Sequence, residues 1–192
     1  EETVAEILNE NGVTVKQSIQ IPYIRSTNFN FLPVEEVNRY FQCDYQIEEG
    51  QFLNLFQYDL QDGYEHDLSE ISKITYGENE KLYSIGSDVQ ILWNQNPTFA
   101  DRTLIVSNSD FEKMKEDAEY WTGVAHLFLF EQWKNSYDGV CAVNEYLQAE
   151  NQMDEAEAYY YNVTSQIESY SDARKSGQFL ILLMVFIIGL ML

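Results

Sequence analysis

Positive charge is scarce in this chain. Of its 192 residues only 11 are Lys or Arg, against 32 Asp plus Glu, for a formal net charge of −21. A surface of that sign repels polyphosphates, so nucleic acid and anionic lipid surfaces are poor partners, while a cationic ligand is drawn in. Histidine is scarcer still, with only His66 and His126. The two cysteines, Cys43 and Cys141, form no CxxC and neither stands near a histidine at metal-ligand spacing. They either pair across the domain in an oxidising compartment or remain separate buried thiols. The sequence contains no GxSxG, HExxH, Walker or GxGxxG pattern. Carboxylates are so abundant that no pair stands out as an acid–base couple. The expectation is therefore a domain that binds, senses or transmits, with no catalytic residue, no metal and no cofactor.

Aromatic residues are plentiful, at 15% of the chain with 14 Tyr and 11 Phe, which excludes a disordered acidic tail. About 175 residues precede the apolar end of the chain, enough for one domain with a sizeable core. The pattern predicts an α+β fold: a mixed, small-sheet domain with flanking helices over residues 1–152. A helix is expected over Thr3–Asn11, stopped by Gly12. A strand follows over Val13–Ile24, where Pro22 argues for an edge position or a strand end. Pro33 at a first helical position suits a short helix to Tyr40. Glu49-Gly50 marks a turn before the apolar set Phe52, Leu53, Leu55 and Phe56. Strand-like runs are expected at Ile71–Tyr76, Lys81–Ile85 and Val89–Trp93, separated by turns at Gly77-Glu78-Asn79 and Gly86-Ser87-Asp88.

Downstream the signals are stronger. Arg102–Ser107 reads as a strand. Ser109-Asp110-Phe111-Glu112 reads as a capping box opening a helix from Asp110 to about Trp121. Val124–Phe130 reads as another strand, and from Glu131 a helix carries Trp133, Tyr137, Val140, Cys141 and Leu147 on one face. Gly139 weakens that helix by about 1 kcal/mol relative to Ala.

Between Asp59 and Glu70 lies a polar loop whose residues only superficially match a calcium loop: with Gly63 at the glycine position, Leu60 falls on a ligand place and Ser69 on the final one. Its carboxylates Asp59, Asp62, Glu65 and Asp67, with Tyr159, Tyr160 and Tyr161, form the candidate surface for a cationic peptide ligand.

Met153, Ala156, Tyr160, Val163, Ile167 and Tyr170, followed by Arg174, repeat at alternating spacings of three and four. That is a heptad seam, and it predicts a long connecting helix over 153–175. Residues 177–192 then carry no charge, and Phe179–Leu192 is almost wholly apolar. Such a run reaches about 21 Å as a helix, against a bilayer core of about 30 Å. It is expected to be the start of a transmembrane helix that continues past Leu192.

Three segments carry a family resemblance. They are Leu104-Ile105-Val106-Ser107-Asn108-Ser109-Asp110-Phe111-Glu112-Lys113-Met114, then Leu127-Phe128-Leu129-Phe130-Glu131-Gln132-Trp133-Lys134, then Arg174-Lys175-Ser176-Gly177-Gln178-Phe179-Leu180. In order and character they resemble the large extracellular domain of FtsX-like ABC transporter permeases of Gram-positive bacteria, of the bacitracin and lantibiotic resistance type. The resemblance covers about the last 90 residues. It implies a loop between two membrane spans, with residues 1 to about 175 outside the cell membrane. It implies as partners the remainder of the permease, a cytoplasmic ABC ATPase subunit on a separate chain, a sensor histidine kinase, and peptide antibiotics or their lipid-linked targets. The family places no catalytic residue in this domain. Arg174 and Lys175 on the domain side of the run would by themselves tilt the positive-inside rule toward a cytoplasmic domain; two residues are a small bias. The alternative is a single-span, membrane-anchored surface binding protein of adhesin type.

Overall fold

The computed structural model describes residues 2–26, 29–56, 71–77, 80–89, 102–117, 120–150, 165–168 and 170–178. The fold is α+β. Its elements run α1 (Glu2–Glu10), β1 (Val15–Arg25), β2 (Asn30–Pro33), α2 (Val34–Phe41), β3 (Gln51–Phe56), β4 (Lys73–Tyr76), β5 (Glu80–Val89), β6 (Arg102–Val106), α3 (Asn108–Lys115), β7 (Trp121–Phe130), a 3₁₀ turn (Trp133–Asn135) and α4 (Tyr137–Glu150). A further helix, α5, is described over 166–168 and 170–178. The strands form one seven-stranded mixed sheet in the order β4-β5-β3-β6-β2-β1-β7. The chain divides into two compact units, one of residues 1–17 and 128–192, the other of residues 18–127.

In the 18–127 unit the sheet centre is apolar on both faces. Leu32, Leu53, Leu55 and Ile105 join Ile19, Ile21, Val34 and Val37 in one cluster, the last two from α2. Phe31, Phe52, Leu104 and Val106 join Ile24, Tyr76, Leu82, Phe111 and Met114 in another, with Phe111 and Met114 from α3. Neighbouring residues of β2, β3 and β6 thus point into opposite clusters, as the pleat requires. Strands buried on both faces read as continuous apolar runs, which explains why β3 shows as an apolar set and not as an alternating one. Burying each of these large side chains stabilises the fold by about 1.5–3 kcal/mol.

Several sequence expectations hold. In α1 the amide of Gly12, at φ 74°, donates to Asn9 O at 2.9 Å, and the amide of Val13 donates to Leu8 O at 2.8 Å, which is the double bond of a Schellman stop. Leu8 and Val13 then share a cluster with Val143 in the 1–17 and 128–192 unit.

Others are corrected. Pro22 is not a strand end, since β1 runs on to Arg25; the described β1–β2 ladder takes only Ile24 and Arg25, so Pro22 sits where no β2 carbonyl needs its missing amide, as an edge position allows. Pro33 is the residue before α2, not its first turn, because it still closes the β2–β6 ladder opposite Val106. No turn breaks the chain at Gly86. β5 runs through it as one strand carrying a bulge, with Phe52 opposite Ser84 but Asn54 opposite Ser87. Gly86 takes φ 134°, which suits glycine at the bulge. The first turn of α3 is capped by Ser107 and not Ser109, and the helix stops at Lys115, six residues before Trp121. Trp121, Thr122 and Gly123 belong to β7. Gly123 lets the Tyr23 ring approach, since a Cβ on it would lie 2.6 Å from Tyr23 Cζ. Gly139 is likewise a packing residue, with a Cβ there falling 2.6 Å from Val13 Cγ2.

The connecting seam also changes. Ser165 is not helical, and it caps α5: its hydroxyl donates to Glu168 Oε2 at 2.8 Å and accepts from the Glu168 amide at 3.4 Å. Most of the connecting helix expected over 153–175 lies outside the described residues, and of it 166–168 and 170–175 are helical. Among the described residues no helix is long and apolar enough to cross a membrane. The apolar run Phe179–Leu192 lies outside the described residues.

Candidate functional site: the docking of α5

Five side chains from two distant stretches of sequence meet around α5. Ser136 sets the first stretch. Its hydroxyl donates to Trp133 O at 2.6 Å, and its carbonyl accepts from the Val140 amide at 2.9 Å, so the 3₁₀ turn leads rigidly into α4. That geometry presents Trp133, Lys134 and Tyr137 together. Against them α5 brings Tyr170 and Lys175.

The Trp133 and Tyr170 rings meet edge to face, with centroids 5.5 Å apart and planes at 80°. Lys134 Nζ sits 5.6 Å from the Trp133 ring and 5.5 Å from the Tyr170 ring, so one ammonium is shared by both π faces. Lys175 Nζ lies 5.3 Å from the Tyr137 ring and 3.8 Å from Asp172 Oδ1. An edge-to-face pair contributes about 0.5–1.5 kcal/mol, and each exposed cation–π contact about 0.5–1 kcal/mol. The Lys175–Asp172 pair is exposed and adds little. Ile167 is buried beside these contacts in sequence, 4% exposed. The helix that leads to the apolar run is thus held to its own unit by side chains, and not by the backbone alone.

Of the seam and ligand residues expected from sequence, only Tyr170 belongs to this constellation, with Ile167 buried three residues before it. Asp59, Asp62, Glu65, Asp67, Tyr159, Tyr160 and Tyr161, and the seam members Met153, Ala156 and Val163, lie outside the described residues. In sequence Trp133 and Tyr137 fall on one face of a helix expected from Glu131, and Trp133-Lys134 closes a resemblance segment; the structure instead places Trp133 and Lys134 in the 3₁₀ turn and starts α4 at Tyr137. Nothing in their spacing tells that they meet Tyr170, about 35 residues downstream.

A second polar centre sits in the 18–127 unit. Asp110 is buried, and both its carboxylate oxygens accept hydrogen bonds. Oδ2 accepts from Ser107 Oγ at 2.7 Å and from the Gly50 amide at 2.8 Å, and Oδ1 accepts from Tyr76 Oη at 3.1 Å. Burial, then the Asp110 carboxylate, push the Tyr76 hydroxyl well above its ordinary pKa. Beside it Glu49 pairs with Lys113 at the surface; that contact lowers the Glu49 carboxyl and raises the Lys113 ammonium. These three donors all come from the protein, and together they give Asp110 a structural role. It clamps the 49–50 turn, β4 and α3 together. Tyr45 Oη donates to Asp88 Oδ2 at 2.6 Å, and burial with this carboxylate raises its pKa too.

Among the described residues no group of three or more His, Cys, Asp or Glu side chains is placed to hold a metal ion. Cys43 and Cys141 are both thiols, each partly buried. His126 stands exposed on β7 and His66 lies outside the described residues. Compared with protein-family models, with curated proteins and with solved structures, the chain matches none.

Proposed function

We propose that this chain is the extracellular domain of an ABC transporter permease of FtsX-like type. In this reading it recognises antimicrobial peptides or their lipid-linked targets and passes their binding to the membrane region. The observation that carries the reading is the docking of α5. A passive tether requires no contact with the domain it holds. Here Trp133, Lys134 and Tyr137 grip Tyr170 and Lys175, and only Ser176, Gly177 and Gln178 separate Lys175 from the apolar run. A displacement of the membrane segment is then transmitted through packed side chains.

The net charge of −21 supports a cationic ligand, with Asp59, Asp62, Glu65 and Asp67 and the tyrosines Tyr159, Tyr160 and Tyr161 as the proposed contact residues. The remaining spans of the permease, a cytoplasmic ATPase subunit and a sensor histidine kinase complete the proposed assembly. The chain itself performs no chemistry in this account.

The test is made in Gram-positive cells expressing the chain. It is expected to stay with the membrane fraction through an alkaline carbonate wash and to be digested by protease added to intact cells. Removing residues 179–192 is expected to release it. Release of the intact chain by the wash, or protection from external protease, would contradict the proposal. A chain that stays anchored but co-purifies with no other spans would favour the single-span surface protein.

A further inference from the structure

The two ends of the sheet are built differently. β4, at one end, has only four residues, Lys73-Ile74-Thr75-Tyr76, and begins with a lysine. Short length and a lysine are the usual ways in which an edge strand is made unattractive to other strands. β7, at the other end, has ten residues, Trp-Thr-Gly-Val-Ala-His-Leu-Phe-Leu-Phe, with no charge and no proline. In its 121–127 portion Leu127 packs on the core cluster and Gly123 accepts the Tyr23 ring. Trp121 is 64% exposed and Val124 49%. Thr122 and His126 are exposed as well. Among the described residues no strand lies outside β7.

A sheet edge of this kind accepts an added strand through its outward amides and carbonyls, and the exposed side chains grade what is added. Charge selects the occupant. A second copy would bring another −21 against this one and is repelled. In sequence Glu116 and Asp117 shortly precede the strand, so the Trp121 end of the edge is acidic.

We propose that the Trp121–Leu127 edge of β7 is a docking site for an extended peptide with alternating apolar and cationic residues, which joins the sheet as an added strand. This rests on the peptide-recognition reading above and names a place for it. The backbone of the peptide supplies the hydrogen bonds, and its apolar residues fall on the face that carries Thr122, Val124 and His126, leaving its cations on the other face.

The experiment uses the full chain in detergent micelles and a synthetic octapeptide of alternating lysine and valine. A second form of the peptide carries N-methyl groups on alternate residues, which removes edge hydrogen bonds at unchanged charge. Amide hydrogen exchange over 121–127 is read by residue. On peptide binding those amides are expected to slow by about tenfold or more. The N-methylated peptide is expected to bind at least about tenfold more weakly, since an edge without its ladder bonds loses the interaction that orders the strand. Val124→Lys, at an exposed position, is expected to weaken the cationic peptide without altering the circular dichroism of the chain. The edge proposal is overturned if 121–127 is already protected without peptide, if protection rises with chain concentration alone, or if both peptides bind equally. It is also overturned if the peptide binds and protection appears only elsewhere; peptide recognition itself would then stand. A cationic lantibiotic run in parallel separates the opposite case: octapeptide protection at the edge with no lantibiotic binding supports the edge and removes the antimicrobial reading.

Discussion

Asn54 is a buried polar hub of the sheet. It is 3% exposed in β3. Its Nδ2 lies within donating distance of Ser84 Oγ at 2.8 Å, Ile71 O at 3.1 Å and Gly86 O at 3.2 Å, and its Oδ1 accepts from the Ile71 amide at 3.3 Å. It plugs the β5 bulge and holds the approach to β4. Asn54→Ala strands several buried partners at once, and the expected loss is about 3 kcal/mol by chemical denaturation. Tyr76 and Tyr45 give the chain an alkaline limit. Their hydroxyls are held neutral by burial and by Asp110 and Asp88. The unfolded chain releases such protons near pH 10, so above that pH it binds fewer protons than the folded chain and stability falls as pH climbs. Tyr76→Phe is expected to cost about 1–2 kcal/mol at neutral pH through the lost bond to Asp110, and to flatten the alkaline fall when unfolding is followed from pH 8 to 11. These roles were hidden in the sequence for a definite reason. Ser107-x-x-Asp110 and Ser109-x-x-Glu112 both fit a capping box, and the choice falls to Ser107 because only Asp110 also reaches the Gly50 amide and Tyr76.

Helices and strands with strong local signals came through: α1 with its glycine stop, β6, and the 124–130 part of β7. What failed was set by neighbours distant in sequence. A glycine reads as a terminator when only its own chain is seen, yet Gly86 sits in a bulge, Gly123 under a tyrosine and Gly139 against Val13. Gly139→Ala decides between the two views. Helix propensity alone favours alanine by about 1 kcal/mol. The Cβ contact of 2.6 Å with Val13 Cγ2 opposes it. Overpacking of this kind costs about 1–3 kcal/mol, so the variant is expected to be less stable in thermal unfolding. Ser165→Ala removes the cap of α5 and is expected to cost about 1 kcal/mol locally, seen as faster amide exchange over 166–168 with the rest unchanged. Tyr170→Ala removes the Trp133 contact and the second face of the Lys134 site, and is expected to loosen α5 by about 1–2 kcal/mol in the same exchange measurement. If the exchange of α5 is untouched by Tyr170→Ala, the side-chain docking does not hold the helix.

The whole chain is an acidic, aromatic-rich fold whose C-terminal helix leads into an apolar run. Periodicity and turn signals made the α+β class legible in the sequence. The candidate ligand carboxylates and tyrosines were chosen from composition, which is why their role rests on binding data and not on geometry. Charge makes the central claim measurable, because attraction between a net charge of −21 and a cationic peptide must follow ionic strength. The decisive measurement is a titration of the full chain in detergent micelles with a cationic lantibiotic at two salt concentrations. One is about 0.01 M, where charges act over about 30 Å, and the other about 1 M, where they act over about 3 Å. Binding at low salt that weakens by about tenfold or more at high salt is the predicted result. No binding at low salt would contradict the account.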